Sequence, residues 1–213
     1  MPKAAIQDQG TLAQFILYVV YQLNDLGRFP SSIQIVKYLY LIDVEFQRVM
    51  RTQLTPLEWR FHLYGPYAFE LPALMARLGY HMAAEQFDGE EGQGWRHRAE
   101  VEVKFPQEIA PIAQTIADRV LKVWGLASTR EILDHVYFGT EPMEDAVRGE
   151  PLDFSRVRPD LGAFEVEFRD SKRLRELRKR HDKPLVGEDR VSRVLTPPED
   201  DLFFREMDRL DRQ

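Results

Sequence analysis

The residues that could do chemistry are scattered through this 213-residue chain. Its five histidines stand at positions 62, 81, 97, 135 and 181. No two of them share the i, i+3 or i, i+4 spacing that turns two imidazoles toward one metal ion. Adjacent carboxylates occur at Glu90–Glu91 and Asp200–Asp201, in a loop tip and a tail, where solvated charge is the stronger reading than acid–base work. The sequence contains no G-x-S-x-G elbow, no glycine-rich phosphate loop and no dinucleotide fingerprint. It contains no cysteine either, which removes disulfides, thiolate zinc sites and thiol nucleophiles. The expectation is a non-enzyme with no cofactor and no metal, a protein that works by contact.

Three stretches carry side chains suited to contact. Tyr64 and Tyr67 flank Gly65-Pro66, with Arg60 and His62 just before them. Turn residues stay partly open and tyrosine is a frequent interface anchor; the opposite reading, tyrosines packed over a turn to fix it, has equal standing. The run Lys172–Lys183 is the single strong basic patch and includes Arg173 and Arg175. It reads first as a solvated helix face and second as a site for nucleic acid or an acidic partner. Near the end, Leu202, Phe203, Met207 and Leu210 make a narrow apolar stripe, too thin to fold alone, which packs on the body, on a second copy or on a partner. The candidate contact residues are therefore Arg60, His62, Tyr64, Tyr67, Arg173, Arg175, Leu202, Phe203 and Met207.

The elements that position them emerge from capping signals and periodicity. With 44% hydrophobic and 30% charged residues the chain is of globular type, and its last forty residues are the most polar. Thr11 with Gln14 offers a capping box for a first helix whose Leu12, Phe15, Ile16, Val19, Leu23 and Leu26 share a face, with Gly27 as its stop. Ser31 with Gln34 opens a second helix through Ile35, Leu39, Ile42, Phe46 and Val49. A second apolar row at Val36, Tyr40 and Val44 predicts that this helix is packed on several sides and is central. Trp59, Phe61 and Leu63 alternate with Arg60 and His62 as a strand does, and Gly65-Pro66 should end it. A short helix through Leu71, Leu74, Met75 and Leu78 comes next, then a hairpin of Tyr80–Phe87 and Trp95–Phe105 with its tip at Asp88–Gly94. Pro106 should start a long amphipathic helix ended by Gly125, and Ser128 with Glu131 caps a shorter one. Beyond the turn-rich Tyr137–Phe154, the pattern predicts a strand at Ala163–Arg169, a basic helix at Ser171–Lys183 and an amphipathic helix at Glu199–Leu210.

The fold class expected is α+β and mainly helical: a central apolar helix with a small antiparallel sheet, made of a strand plus a β-hairpin, in a partly winged-helix-like order. That order brings a winged-helix DNA-binding regulator into consideration, with Tyr67–Leu78 as recognition helix. Charge opposes it. The helix carries only Arg77 as a clear cation, Glu85–Gly94 holds four acids and no base, and the net charge is -6, so nucleic acid is a disfavoured partner. The longest apolar run of the first helix, Phe15–Tyr21, is well short of the roughly 20 residues that cross a bilayer. The N-terminus has no apolar core of signal-peptide type. Cytoplasmic location and no membrane partner are the expectations.

Lys37–Asp43 (KYLYLID), Leu54-Thr55 and Glu58–Tyr67 ending in Tyr-Gly-Pro-Tyr, followed by Val136–Met143 and Gly149–Phe154, resemble the SocA-like, or Panacea, antitoxin domain, which includes phage-associated GepA-like proteins. The resemblance covers roughly residues 10–154. It implies an antitoxin-type domain at 1–154 and a C-terminal extension at 155–213. It also implies a role as the non-enzymatic antitoxin of a toxin–antitoxin system, which neutralises a cognate toxin by direct binding or as an adaptor delivering it to the ClpXP protease. A phage-associated structural or interaction protein is the third reading, and a second copy of the chain is a further candidate partner. The shared residues read as architectural, so the resemblance does not assign the toxin contact.

Overall fold

A computed structural model gives the placement of residues 5–89 and 92–159. The chain divides into two units, Met1–Asp160 and Leu161–Gln213, and the described residues all belong to the first. The strand expected at Ala163–Arg169, the two C-terminal helices and the candidate residues Arg173, Arg175, Leu202, Phe203 and Met207 lie outside the described residues.

The first unit is a mainly helical α+β fold, with helices α1 (Gln9–Asp25), α2 (Ser32–Met50), α3 (Leu71–Arg77), α4 (Pro111–Trp124) and α5 (Thr129–Gly139). Its strands are β1 (Arg60–His62), β2 (Gly65–Tyr67), β3 (Met82–Gly89) and β4 (Gly92–Ala99). The helix α2 is the centre, as its two apolar rows require: it touches α1, α4, α5, β2 and β4. Both rows are buried from Ile35 through Val44 and at Phe46, while Val49 in the last turn is half-buried. Its start is the capping box Ser31–Gln34, with both reciprocal bonds formed. Just before it, at the end of α1, Gly27 takes φ +74°, and the Gly27 and Arg28 amides return to the carbonyls of Asn24 and Leu23. That is the double bond of a left-handed helix stop.

Local starts and stops differ from expectation where a better cap competes. The cap of α1 is Asp8, whose carboxylate accepts the Thr11 amide, and Thr11 itself is buried in the first turn. The helix α4 begins at Pro111 rather than Pro106; Pro106–Ile109 forms a turn closed by the Ile109 amide. That turn lets the Phe105 ring lie edge-on against Phe15 and Tyr18, at 6.0 and 5.1 Å between centroids. The strand β4 stops at Ala99 instead of Phe105 because its partner runs out. Before Met82 the chain is turning, with the His81 and Met82 amides both on the Leu78 carbonyl.

The sheet is two separate hairpins, β1–β2 and β3–β4, rather than one strand joined to a hairpin. Gly65-Pro66 does not end the first strand. The chain reverses at Leu63-Tyr64, and Gly65–Tyr67 returns along β1 with Phe61 opposite Pro66. Proline is tolerated there for a reason of register. The Phe61 N–H donates to the Glu150 carbonyl (3.0 Å) and its C=O accepts from the Gly149 amide (2.7 Å). Phe61 therefore spends both groups on its far side, and the proline nitrogen opposite faces away from β1. With β1 paired this way, the winged-helix order is not built as a winged-helix sheet.

Candidate partner-binding surface

The β1–β2 hairpin, which holds Arg60, His62, Tyr64 and Tyr67, is fixed from three directions. From α2, the buried amine of Lys37 donates to the Pro66 carbonyl at 2.8 Å. From α5, the Tyr137 hydroxyl donates to the Leu63 carbonyl at 3.3 Å. The Tyr137 ring also lies 3.3 Å from where a Cβ on Gly65 would sit, at a residue with φ +90°, so glycine is required there for both backbone and space. Along the outer side of β1, residues 149–152 pair through Phe61 and through the Leu152 amide on the Trp59 carbonyl (2.8 Å). Burial without a countercharge pushes the Lys37 amine down to about 7.

On this support the four predicted residues separate. Tyr67 is buried and serves the packing alternative: its ring meets Phe69 edge-on at 5.1 Å, and burial followed by the Glu70 charge raises its hydroxyl pKa. His62 is half-buried between Tyr67 (5.7 Å) and Phe69 (5.3 Å). Burial first, then Arg148 and Lys37, lower its pKa, which favours the neutral ring. Arg60 is partly open beside Glu58, at 3.6 Å. Tyr64 sits half-buried where the hairpin turns. Sequence patterns did not point to Phe69, which is 56% exposed, or to the exposed Arg148. Arg148 reaches the hairpin only through the fold, so no local pattern announces it.

Under this surface lies a framework of buried polar bonds. The Asp43 carboxylate is fully buried and accepts four: from the amides of Leu54 (3.0 Å) and Thr55 (2.8 Å), the Thr55 hydroxyl (2.5 Å) and the Trp59 indole (2.7 Å). Burial pushes its pKa up to about 6 against those four donors. Arg48 holds Glu141 through two parallel bonds of 2.7 and 2.8 Å, the bidentate geometry that guanidinium favours. The Tyr40 hydroxyl meets Thr140 at 2.9 Å, and Thr140 donates to the Val136 carbonyl.

Among the described residues, the polar groups nearest to a catalytic arrangement serve the structure instead. Asp43 has its lone pairs occupied. The pair Ser32 Oγ and His97 Nε2, at 2.8 Å, has a nucleophile–base spacing. His97 is 5% exposed, however, its Nδ1 has no partner, and burial lowers its pKa to about 4, leaving a weak base with no group to orient it. Among the described residues no cluster of three or more His, Asp or Glu could hold a metal ion, and no helix is long and apolar enough to cross a membrane. Comparison of the chain with family models, with curated proteins and with solved structures finds no match.

Proposed function

We propose that this chain is the non-enzymatic antitoxin of a toxin–antitoxin system, a cytoplasmic protein that captures a cognate toxin directly or delivers it to ClpXP. Two things support the reading. The residues that carry the resemblance to SocA-like antitoxins are bonded to one another across the fold: Lys37 to Pro66, Tyr40 to Thr140, and Asp43 to Leu54, Thr55 and Trp59. The observation that carries most weight is what they hold, a hairpin immobilised from three directions whose His62 and Tyr64 stay partly open beside exposed Phe69 and Arg148. A rigid support with half-open aromatic side chains suits capture of a protein, because little ordering entropy remains to be lost on binding.

The test is co-expression with the product of the adjacent reading frame. Growth arrest by that product alone, relieved by this chain, is the expected result. A neighbour that is harmless alone, or that stays toxic in the presence of this chain, refutes the proposal. The DNA-binding reading is weakened by α3, which has seven residues and whose one clear cation, Arg77, donates to Gln9 at 2.6 Å. A mobility shift with its own promoter that falls steeply with salt would revive that reading.

A further inference from the structure

The amine of Lys37 is placed where an ammonium would be stranded. It is 2% exposed and makes one hydrogen bond, to the Pro66 carbonyl at 2.8 Å. An ammonium carries three N–H groups and a charge, and here it would meet that single acceptor and no countercharge: Lys37 enters no ion pair among the described residues. The acids flanking the hairpin are engaged elsewhere. Glu58 lies 3.6 Å from Arg60, and Glu70 and Glu150 are exposed to water, as is the cation Arg148. On α2 itself, Asp43 is enclosed by Leu54, Thr55 and Trp59, and Arg48 joins Glu45 to Glu141. On the other elements packed against α2, Tyr18 of α1 is bonded to Asp118 of α4, His97 of β4 to Ser32, and His135 of α5 stacks on Trp124. Asp25, Arg96, Arg98, Lys122, Arg130, Glu131 and Asp134 on those elements are exposed, and half-buried Arg119 is a further cation. A proton can therefore be accommodated on Lys37 only if its cover moves. That cover includes Pro66, in the three-residue strand β2, whose release frees the amine while the apolar rows of α2 stay packed on α1 and α4.

We propose that Lys37 is a proton-linked latch on the β1–β2 hairpin: the closed hairpin holds the neutral amine on the Pro66 carbonyl, and the open hairpin takes up a proton from solvent. The pH then sets how often the candidate surface is dismantled, whatever that surface binds. The buried amine titrates at about 7, against 10.5 in water. Between these values the open state alone holds the proton, so opening becomes about tenfold rarer for each unit by which pH rises. The other titratable side chains at the hairpin are silent from pH 7.5 to 9.5, because burial lowers the pKa of His62 and raises those of Tyr67 and Tyr137.

The test is amide exchange followed by NMR on the full chain from pH 7.5 to 9.5. Phe61 bonds on its far side, so Arg60 with Tyr67 and His62 with Gly65 are the hydrogen-bonded pairs of β1 and β2. The Gly65 and Tyr67 amides report the opening. Corrected for the intrinsic exchange rate, their protection should rise about 70-fold over that interval, and at pH 7.5 it should lie below that of the α2 core amides, since local opening precedes global unfolding. The Lys37 side-chain carbon next to the amine should titrate near 7. Lys37→Met should remove the pH dependence of the protection; the wild-type series and the side-chain titration decide the matter even if that variant does not fold. A Lys37 that titrates above 10, hairpin protection that is flat with pH, or hairpin amides as protected as the α2 core at pH 7.5 would overturn the proposal. None of these readouts involves the neighbouring gene product, so the latch and the antitoxin reading fail separately.

Discussion

Asp43→Asn isolates the framework under the hairpin with a change of one atom. Asp43 Oδ1 accepts the Leu54 and Thr55 amides, and Oδ2 accepts the Thr55 hydroxyl and the Trp59 indole. An asparagine can keep its oxygen toward the two amides. Its NH2 group then faces the hydroxyl, which can rotate and accept, and the indole N–H, which cannot. One buried donor is left without an acceptor, a penalty of about 1–3 kcal/mol, and the remaining bonds lose the strength of an ionised acceptor. The expected total is about 3 kcal/mol in urea denaturation at pH 7.5, where a carboxyl titrating at about 6 is ionised. Trp59→Phe alone should also destabilise, by roughly 2 kcal/mol, for one charge-assisted bond. In the Asp43→Asn background the same substitution removes the conflicting donor, so it should cost roughly 1–2 kcal/mol less there than in the wild type. If the two losses add to within about 0.5 kcal/mol, Trp59 and Asp43 are not coupled and the cage as described is wrong.

The same geometry sets four further outcomes. Lys37 titrates at about 7 in the fold against 10.5 as a free side chain, so the unfolded chain alone holds that proton between the two values. Stability should rise with pH across that window, and Lys37→Met should abolish the rise in urea midpoints measured at pH 7 and pH 9.5. His97 is lowered from 6.5 to about 4, so its contribution is complete above pH 6.5 and lost as pH falls toward 4. Relative to His97→Gln, the wild type should lose about 3 kcal/mol over that interval. Arg48→Ala strands Glu141, which is 12% exposed, and should cost about 3 kcal/mol, whereas Arg48→Lys keeps the charge but not the fork and should cost about 1 kcal/mol by the same assay. Gly65→Ala meets both φ +90° and the Tyr137 ring; a loss of about 2 kcal/mol, with faster amide exchange at Leu63–Tyr67, is expected.

Most signals that act within one turn of chain were readable in the sequence, although the capping box offered by Thr11 and Gln14 loses to Asp8. The capping boxes at Ser31 and Ser128 form as written, and the αL stop at Gly27 depends only on its own backbone. The central role of α2 was legible because its apolar rows exceed one face. The burial of Lys37 and Asp43 on the same helix was not legible, because the groups that bond them lie 29 and 11–16 residues away. The β1–β2 register was illegible for a related reason. Pro66 forbids a ladder bond only if its nitrogen faces the neighbouring strand, and that is decided by Phe61 pairing with Gly149 and Glu150, almost ninety residues later in the chain. The candidate surface shows the same division. His62 and Tyr64 were visible as residue types, whereas the exposure of Phe69, the burial of Tyr67 and the approach of Arg148 are products of tertiary packing.

This division bears on how the two sets of residues should behave when they are altered. Asp43 and Gly65 act on the position of the hairpin and on global stability together, and Arg48 on global stability, so their substitution lowers partner capture only as far as it loosens or unfolds the unit. Arg148 is exposed, and Phe69 is 56% exposed with its ring edge-on to His62 and Tyr67, so their substitution should lower capture with only a small change in melting temperature. Affinity plotted against stability for both sets separates the roles. Framework variants should regain capture when the temperature is lowered and the folded fraction restored, while surface variants should not, because the side chains that meet the partner are then missing from a folded protein.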